Sequence, residues 1–192
     1  HHPAFAGNTW EELAGEVAAG LLPAATTLDY DQLVAKPPGH PKAVFHWHQD
    51  LAYWPATPSP ETVTLWLALD DVDASNGCLR FVKGSHLESE LRPHRPLTGD
   101  RDESHTLVAD VEDGDPAIIE APLRRGEALA FRERVVHGSG GNVSDGWRRA
   151  YVIAFRTAET VAAERAIGFT HSHEDDLDVL RGVSGLEGDG PA

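Results

Sequence analysis

Between Thr26 and Thr157 the chain is a succession of short segments with a residue period of two, each ended by turn-forming residues, and this pattern limits the fold more than any other feature. Candidate strands are Thr26–Lys36, Ala43–Trp47, Thr62–Asp70, Cys78–Val82, Ala117–Ala121, Glu127–Phe131, Arg134–His137 and Arg149–Thr157. They are divided at Pro37-Pro38-Gly39, Ser75-Asn76-Gly77, Lys83-Gly84-Ser85, Arg125-Gly126 and Gly140-Gly141-Asn142. Eight such segments imply a mainly β barrel or sandwich. One helix precedes them, from Thr9 to Leu22. Trp10, Leu13, Val17 and Leu21 recur in it at helical spacing, Thr9 and Glu12 form a capping-box pattern, and Pro23 follows.

There is no internal repeat and no linker, so residues 1–192 are expected to form a single domain with its core at about 26–157. Two stretches differ from that core. Residues 86–116 are charged and proline-broken, long enough to be a lid-like insert. Residues 159–192 turn acidic and glycine-rich after a possible short helix, which suggests a solvated C-terminal extension. His1 and His2 fit a native start or a tag remnant equally well and are left out of site reasoning.

Charge narrows the partners. The formal net charge of -15 would repel nucleic acid and anionic membrane faces, and no apolar run approaches the length of a membrane span. Cys78 is the single cysteine, so no internal disulfide can form, and a cytoplasmic setting is expected. Oligomeric state is left open.

His48 and Asp50 stand two apart at the end of an extended segment, so both side chains leave on one side and can share an ion. His137 ends another candidate strand. Two imidazoles and a carboxylate make the facial triad of non-haem iron(II), with three adjacent positions left open. His46 shares the parity of His48 and offers a rival imidazole; with His137 in the triad it is expected to line the barrel, hydrogen-bonded to neighbours. His171 and His173, near Glu174 and Asp175, form a further same-face pair, expected in an exposed turn. His40, His94 and His105 are expected to face solvent, and His86 to brace a turn.

Arg148 enters a strand whose alternate residues Ala150, Val152 and Ala154 are small, while Tyr151, Ile153 and Phe155 opposite are large. Small side chains leave room for a ligand inside a barrel. An arginine directed there needs an anionic partner, because an isolated buried charge is costly. A dicarboxylate suits it: the guanidinium can take one carboxylate bidentately, and Ser139 can add a hydrogen bond. Arg149, on the large-residue face, is expected to meet solvent or an ion pair.

The runs His48-Gln49-Asp50-Leu51-Ala52-Tyr53-Trp54-Pro55, Leu65-Trp66-Leu67-Ala68-Leu69-Asp70-Asp71, Asn76-Gly77-Cys78-Leu79, Gly84-Ser85-His86 and His137-Gly138-Ser139-Gly140-Gly141-Asn142, then Arg148-Arg149-Ala150, resemble the phytanoyl-CoA dioxygenase family from about Tyr30 to Phe155. The resemblance implies a double-stranded β-helix, a jelly-roll or cupin-like barrel, with helices packed on the larger sheet. It implies iron(II) on His48, Asp50 and His137, 2-oxoglutarate on Ser139 and Arg148, and Gln32, Gln49 and Trp66 as neighbours of the co-substrate. Members of the family usually carry a longer N-terminal helical region that can contribute a lysine to this pocket; little precedes Tyr30 here, so that contact cannot be placed.

The activity so implied is a dioxygenase reaction that hydroxylates a small organic metabolite or natural-product intermediate and releases succinate and CO2. Desaturation, ring closure and epimerisation stay open. Halogenation is not expected, since it would need a small residue where Asp50 stands. Tyr53 and Trp54 follow the metal motif closely enough to line the pocket mouth. Arg92, Arg95 and Arg101 could meet an anionic substrate or pair with nearby acids. A coenzyme A ester would require basic surface, in which the chain is poor. The alternative is a cupin-like metal-binding isomerase or sensor without 2-oxoglutarate, which would have no use for Arg148 and Ser139.

Overall fold

Alternation of small and large residues along three long strands decides how the chain layers. The computed structural model describes residues 6–100, 104–112 and 114–171. In chain order these form α1 (Thr9–Leu21), β1 (Thr26–Lys36), β2 (Phe45–His48), β3 (Thr62–Ala68), β4 (Leu79–Val82), β5 (His94–Pro96), β6 (Leu107–Ala109), β7 (Ile118–Ala121), β8 (Ala128–Arg132), β9 (His137–Ser139), β10 (Arg148–Thr157) and α2 (Ala158–Ala166). Two four-stranded sheets result, ordered β1-β10-β3-β8 and β2-β9-β4-β7, with β5 and β6 as a separate ribbon. Every named pair is antiparallel, and the fold is the expected double-stranded β-helix.

The longer sheet separates two apolar layers. Its outer face presents Val63, Leu65, Ile153 and Phe155 to Ala14, Ala18 and Leu22 at α1. Each large side chain so buried contributes about 1.5–3 kcal/mol. The inner face carries Trp66, Ala68, Ala150 and Val152 against Leu79 of the second sheet and Cys78 just before it. Small residues at Ala150 and Ala154 keep space open between the sheets, as their spacing suggests.

Helix α1 is capped by Asn8, not by Thr9: the Asn8 side chain accepts from the backbone N–H groups of Trp10 and Glu11. An Asn at this position meets the unpaired donors of the first turn as well as Thr does, and both residues fit the local pattern. Strand edges move as well. His137 opens β9 instead of closing a strand, because residues 133–135 form a turn. Ser85, not His86, braces the neighbouring turn, with its hydroxyl donating to Val82 O and accepting from Val136 N, both at 2.8 Å. His86 is exposed.

Residues 86–116 contain the β5–β6 ribbon, which docks beside the residues that follow β2. Tyr53 Oη accepts from Leu107 N at 2.8 Å and donates to Leu107 O at 3.3 Å. Beyond β10, the chain is not a solvated tail as far as it is described: α2 packs on the sheet, and Glu164 and Phe169 are buried. His173, Glu174 and Asp175 lie outside the described residues. Among those described, no helix is long and apolar enough to cross a membrane.

Candidate metal centre and anion pocket

Strand pairing brings the metal-binding residue types together. His48 and His137 are directly opposed partners of β2 and β9, and their ring centroids lie 4.2 Å apart. Asp50 opens the short turn after β2. Its Oδ1 stands 3.4 Å from His48 Nε2 and 3.6 Å from His137 Nε2. All three ligand atoms fall within 4.8 Å of one another.

The surrounding bonds orient them. His48 Nδ1 meets the His46 carbonyl at 2.7 Å and His137 Nδ1 meets the Val135 carbonyl at 3.0 Å, so both rings spend Nδ1 on the backbone and turn Nε2 inward. Thr64, on the inner face of β3, donates to Asp50 Oδ2 at 3.2 Å and leaves Oδ1 to the site. Burial pushes the His137 imidazole down to about 4, aided by His48 beside it, and keeps it neutral. Burial would also lower His48 and raise Asp50. The hydrogen bond and charge of Asp50 outweigh it and raise His48, and His137, then His48 and Thr64, outweigh it and lower Asp50. A carboxylate and two imidazole Nε2 atoms converging on one point make a donor set that iron(II) fits, the metal taking the place of an Nε2 proton.

A bulge settles the rivalry between the two histidines of β2. Phe45 pairs with Ser139 and His48 with His137, so β2 spends one more residue than β9 over this stretch. The extra residue turns Phe45 and His48 to the same cavity although they are three apart. His46 does not line it.

At the other end of the cavity is Arg148. It is 1% exposed, and one hydrogen bond holds it, from Nη2 to Ser139 Oγ at 3.2 Å. Its Nε and Nη1 are buried and have no hydrogen-bond partner among the described residues. Burial pulls it down to about 10, which leaves it charged at neutral pH. Unpaired donors of a buried cation are the imprint of an anion, and the guanidinium fork fits a carboxylate.

The cavity between triad and arginine is lined by Tyr30, Gln32, Val34 and Trp66 among others. Gln32 and Trp66 therefore lie on the cavity wall, Trp66 with Arg148 over its ring at 5.4 Å. Gln49 does not. Fully buried, it faces away, with Nε2 donating to Arg134 O at 2.6 Å and Oε1 accepting from Arg92 N at 2.8 Å. It ties β2 to the 86–116 segment, an opposite direction from the cavity that one-residue alternation next to His48 dictates.

Tyr53 and Trp54 part company as well. Tyr53 packs edge-on to His48 with its hydroxyl held by Leu107, while Trp54 is buried under the Arg156 guanidinium at 4.2 Å, and neither lines the cavity. His94 is half-buried, accepting from Gln49 N at 3.1 Å, so it does not face solvent as expected. His171, expected in an exposed turn, is bound to Asp29 at 2.8 Å, with its ring tilted against that of Tyr30. Arg92 pairs with Glu88 and Arg95 with Asp110, while Arg101 lies outside the described residues. Arg149 is exposed and paired with Asp70.

Lys36 and Thr64 are the residues at this site whose contacts sequence reasoning missed. Lys36 is 1% exposed and donates to Ser139 Oγ at 2.6 Å. Parity was the available signal, since residues 32, 34 and 36 share the inner face of β1. The adjoining Pro37-Pro38-Gly39 turn instead made Lys36 read as a strand end.

The phytanoyl-CoA dioxygenase family model matches residues 1–150. Human peroxisomal phytanoyl-CoA dioxygenase is 31% identical over 134 residues, which cover 68% of this chain and 39% of the human protein. The mouse protein is 30% identical over 134 residues, with the same coverages of 68% and 39%. The chain thus spans well under half the length of these curated relatives. Among solved structures, EvdO2 from Micromonospora carbonacea var. aurantiaca superposes with a TM-score of 0.72 at 30% identity, covering 81% of this chain and 63% of that one. A crystal structure of EvdO2 complexed with 2-oxoglutarate gives 0.70 at 29% identity, again over 81% and 63%. EctD from S. alaskensis, at 21% identity, 76% and 50% coverage and a TM-score of 0.60, shares the fold.

Proposed function

The chain belongs to the phytanoyl-CoA dioxygenase family, and from that membership we propose that it is an iron(II)- and 2-oxoglutarate-dependent dioxygenase that hydroxylates a small organic metabolite or natural-product intermediate. One observation carries the reading: the His48–Asp50–His137 triad and the two unpartnered donors of Arg148 open on the same cavity. The 2-oxoglutarate complex of EvdO2 supports it.

His48 Nε2, His137 Nε2 and Asp50 Oδ1 would hold the iron on one face. Iron(II) and 2-oxoglutarate together supply a dioxygen-driven oxidation of a C–H bond, coupled to loss of CO2 and formation of succinate. The protein's own part is binding and orientation. Arg148 and Ser139 hold the far carboxylate, Trp66 and Val152 wall the cavity, and Thr64 keeps Asp50 turned to the metal. Tyr30 lines the same cavity. Residues 26–157 form the catalytic core, 86–116 a lid-like insert that Gln49 and Tyr53 anchor beside the site, and 159–192 a C-terminal extension. A net charge of -15 disfavours a coenzyme A ester as substrate.

A cupin-like isomerase or sensor would have no use for a buried arginine with idle donors. Anaerobic addition of iron(II) and 2-oxoglutarate is expected to give a visible charge-transfer absorption that Arg148→Ala abolishes. Its absence from the intact protein would sink the oxygenase reading. A metabolite screen scored by succinate release then identifies the substrate.

A further inference from the structure

The turn that carries Asp50 has left the sheet. Pairing of β2 with β9 ends at His48, so the backbone donors that follow have no strand to meet. Buried donors must be answered somewhere. Leu51 N reaches Glu133 O at 3.1 Å. Gln49 N, on the peptide that leaves His48 and one residue short of Asp50, reaches the His94 side chain 45 positions along the chain, at 3.1 Å. A backbone N–H only donates, so His94 Nε2 accepts, and the ring proton on Nδ1 goes to Arg92 O at 2.7 Å.

Other bonds run the same way. Gln49 Oε1 accepts from Arg92 N at 2.8 Å, and Tyr53 Oη bonds both backbone groups of Leu107. Arg134 Nη2 donates to the Glu88 and Ser89 carbonyls at 3.0 Å each. Arg134 belongs to the turn whose Val135 carbonyl orients His137, and its own carbonyl accepts from Gln49 Nε2 at 2.6 Å. The 86–116 insert therefore touches both turns that present ligands, one after β2 and one before β9. Arg92 paired with Glu88 at 2.7 Å and β5 paired with β6 stiffen the part that does so.

We propose that His94 is a positioning residue of the metal centre: through the Gln49 N–H it fixes the peptide between His48 and Asp50, which makes the insert a brace for the ligands. This rests on the metal reading of the triad. Metal binding and insert docking are then linked in both directions. Loosening the insert loosens the ligand set, and a bound metal tightens the insert.

Cobalt(II) is the probe, because its d–d absorption reports ligand geometry without turnover. Calorimetric and spectral titrations compare wild type with His94→Leu, which keeps bulk but lacks an acceptor, and His94→Gln, whose amide oxygen can accept from Gln49 N. His94→Leu is expected to weaken cobalt(II) about tenfold or more and to shift the d–d bands, while His94→Gln stays within about threefold of wild type. A His94→Leu protein indistinguishable from wild type, or equal losses in both variants, would overturn the proposal. Should His94→Leu not fold, hydrogen exchange of the wild type is followed with and without cobalt(II). Binding must slow the amides of Arg92 and Leu107, which donate to Gln49 Oε1 and Tyr53 Oη. Unchanged exchange at either overturns the proposal equally. Wild-type protein that binds no cobalt(II) would instead remove the metal reading itself.

Discussion

Strand β10 carries a buried arginine at each end, and the two live in opposite surroundings. Arg156, fully buried, donates from Nε to Thr62 Oγ1 at 3.1 Å, from Nη1 to Glu164 at 2.5 Å and Asp29 at 3.1 Å, and from Nη2 to Glu164 at 2.7 Å. Trp54 covers its face, and Arg165 and His171 complete the pairing of Asp29. Arg148 has one neutral partner and two idle donors. Both lie on the face that points away from α1. The difference teaches how to tell a fold device from a ligand site: one guanidinium is answered by the protein, the other is left to be answered by something that arrives.

The same contrast separates the two metal-capable clusters. Asp29, Glu164 and His171 bring their ligand atoms as close together as His48, Asp50 and His137 do. In the first cluster, however, the position a cation would take belongs to Arg156. Asp29 is held down to about 2: burial pushes it up, but His171 and Arg156 outweigh that. Glu164 goes the other way, with burial raising it despite the bonds from Arg156.

The sharpest way to break this comparison is to remove each arginine in turn. Arg156→Met strips the buried Glu164 carboxylate of its hydrogen bonds, while Asp29 keeps Arg165 and His171, and is expected to cost about 3–5 kcal/mol in urea unfolding. A loss within about 0.5 kcal/mol, as at an ordinary surface site, would mean the network is not what holds α2 to the sheet. Arg148→Met strands no carboxylate, so stability should change by less than about 1 kcal/mol, whereas 2-oxoglutarate binding should weaken by about 1.5–3 kcal/mol, the worth of a hydrogen bond to a charged group. Calorimetry and unfolding on the same sample separate the two effects.

Acid titration probes the closed cluster more gently. The folded pKa of Asp29 lies below its unfolded value, so its stabilisation is present above about pH 4 and is lost as pH falls toward 2. The stability advantage of wild type over Asp29→Asn should therefore shrink by roughly 2 kcal/mol across that window. An advantage that grows on acidification would reverse the assignment. The smallest effect is expected at the open cluster's support. Thr64→Val removes the bond to Asp50 Oδ2 and should reduce iron(II) affinity about tenfold with little change in unfolding.

Much of this was legible from period and chemistry. Alternation along β3 and β10 separated Val63, Leu65, Ile153 and Phe155 from Trp66, Ala150 and Val152, and the structure buries the two sets in different layers. The same reading put Arg148 inside, and the spacing of His48 and Asp50 made them a pair. Readings failed where one residue of slippage or a distant partner intervened. The bulge in β2 exchanged His46 for Phe45 in the cavity, since strand parity reverses at an inserted residue. Gln49 and His94 bond to each other's neighbourhood across 45 positions of sequence, which no local pattern contains.

The sequence by itself determined the layers, the triad and the inward arginine, because side-chain direction in a strand follows from a period of two and a buried charge demands a partner. Only the tertiary structure decided which arginine has its partner and which does not. Asp29, Arg156 and Glu164 meet because a bulge near Asp29 and the return of α2 bring three separate segments together. Lys36 joins Arg148 on Ser139 because β1 runs beside β10 in that register. Satisfaction of a buried charge is a property of all the groups around it, and those groups are collected only when the chain is folded.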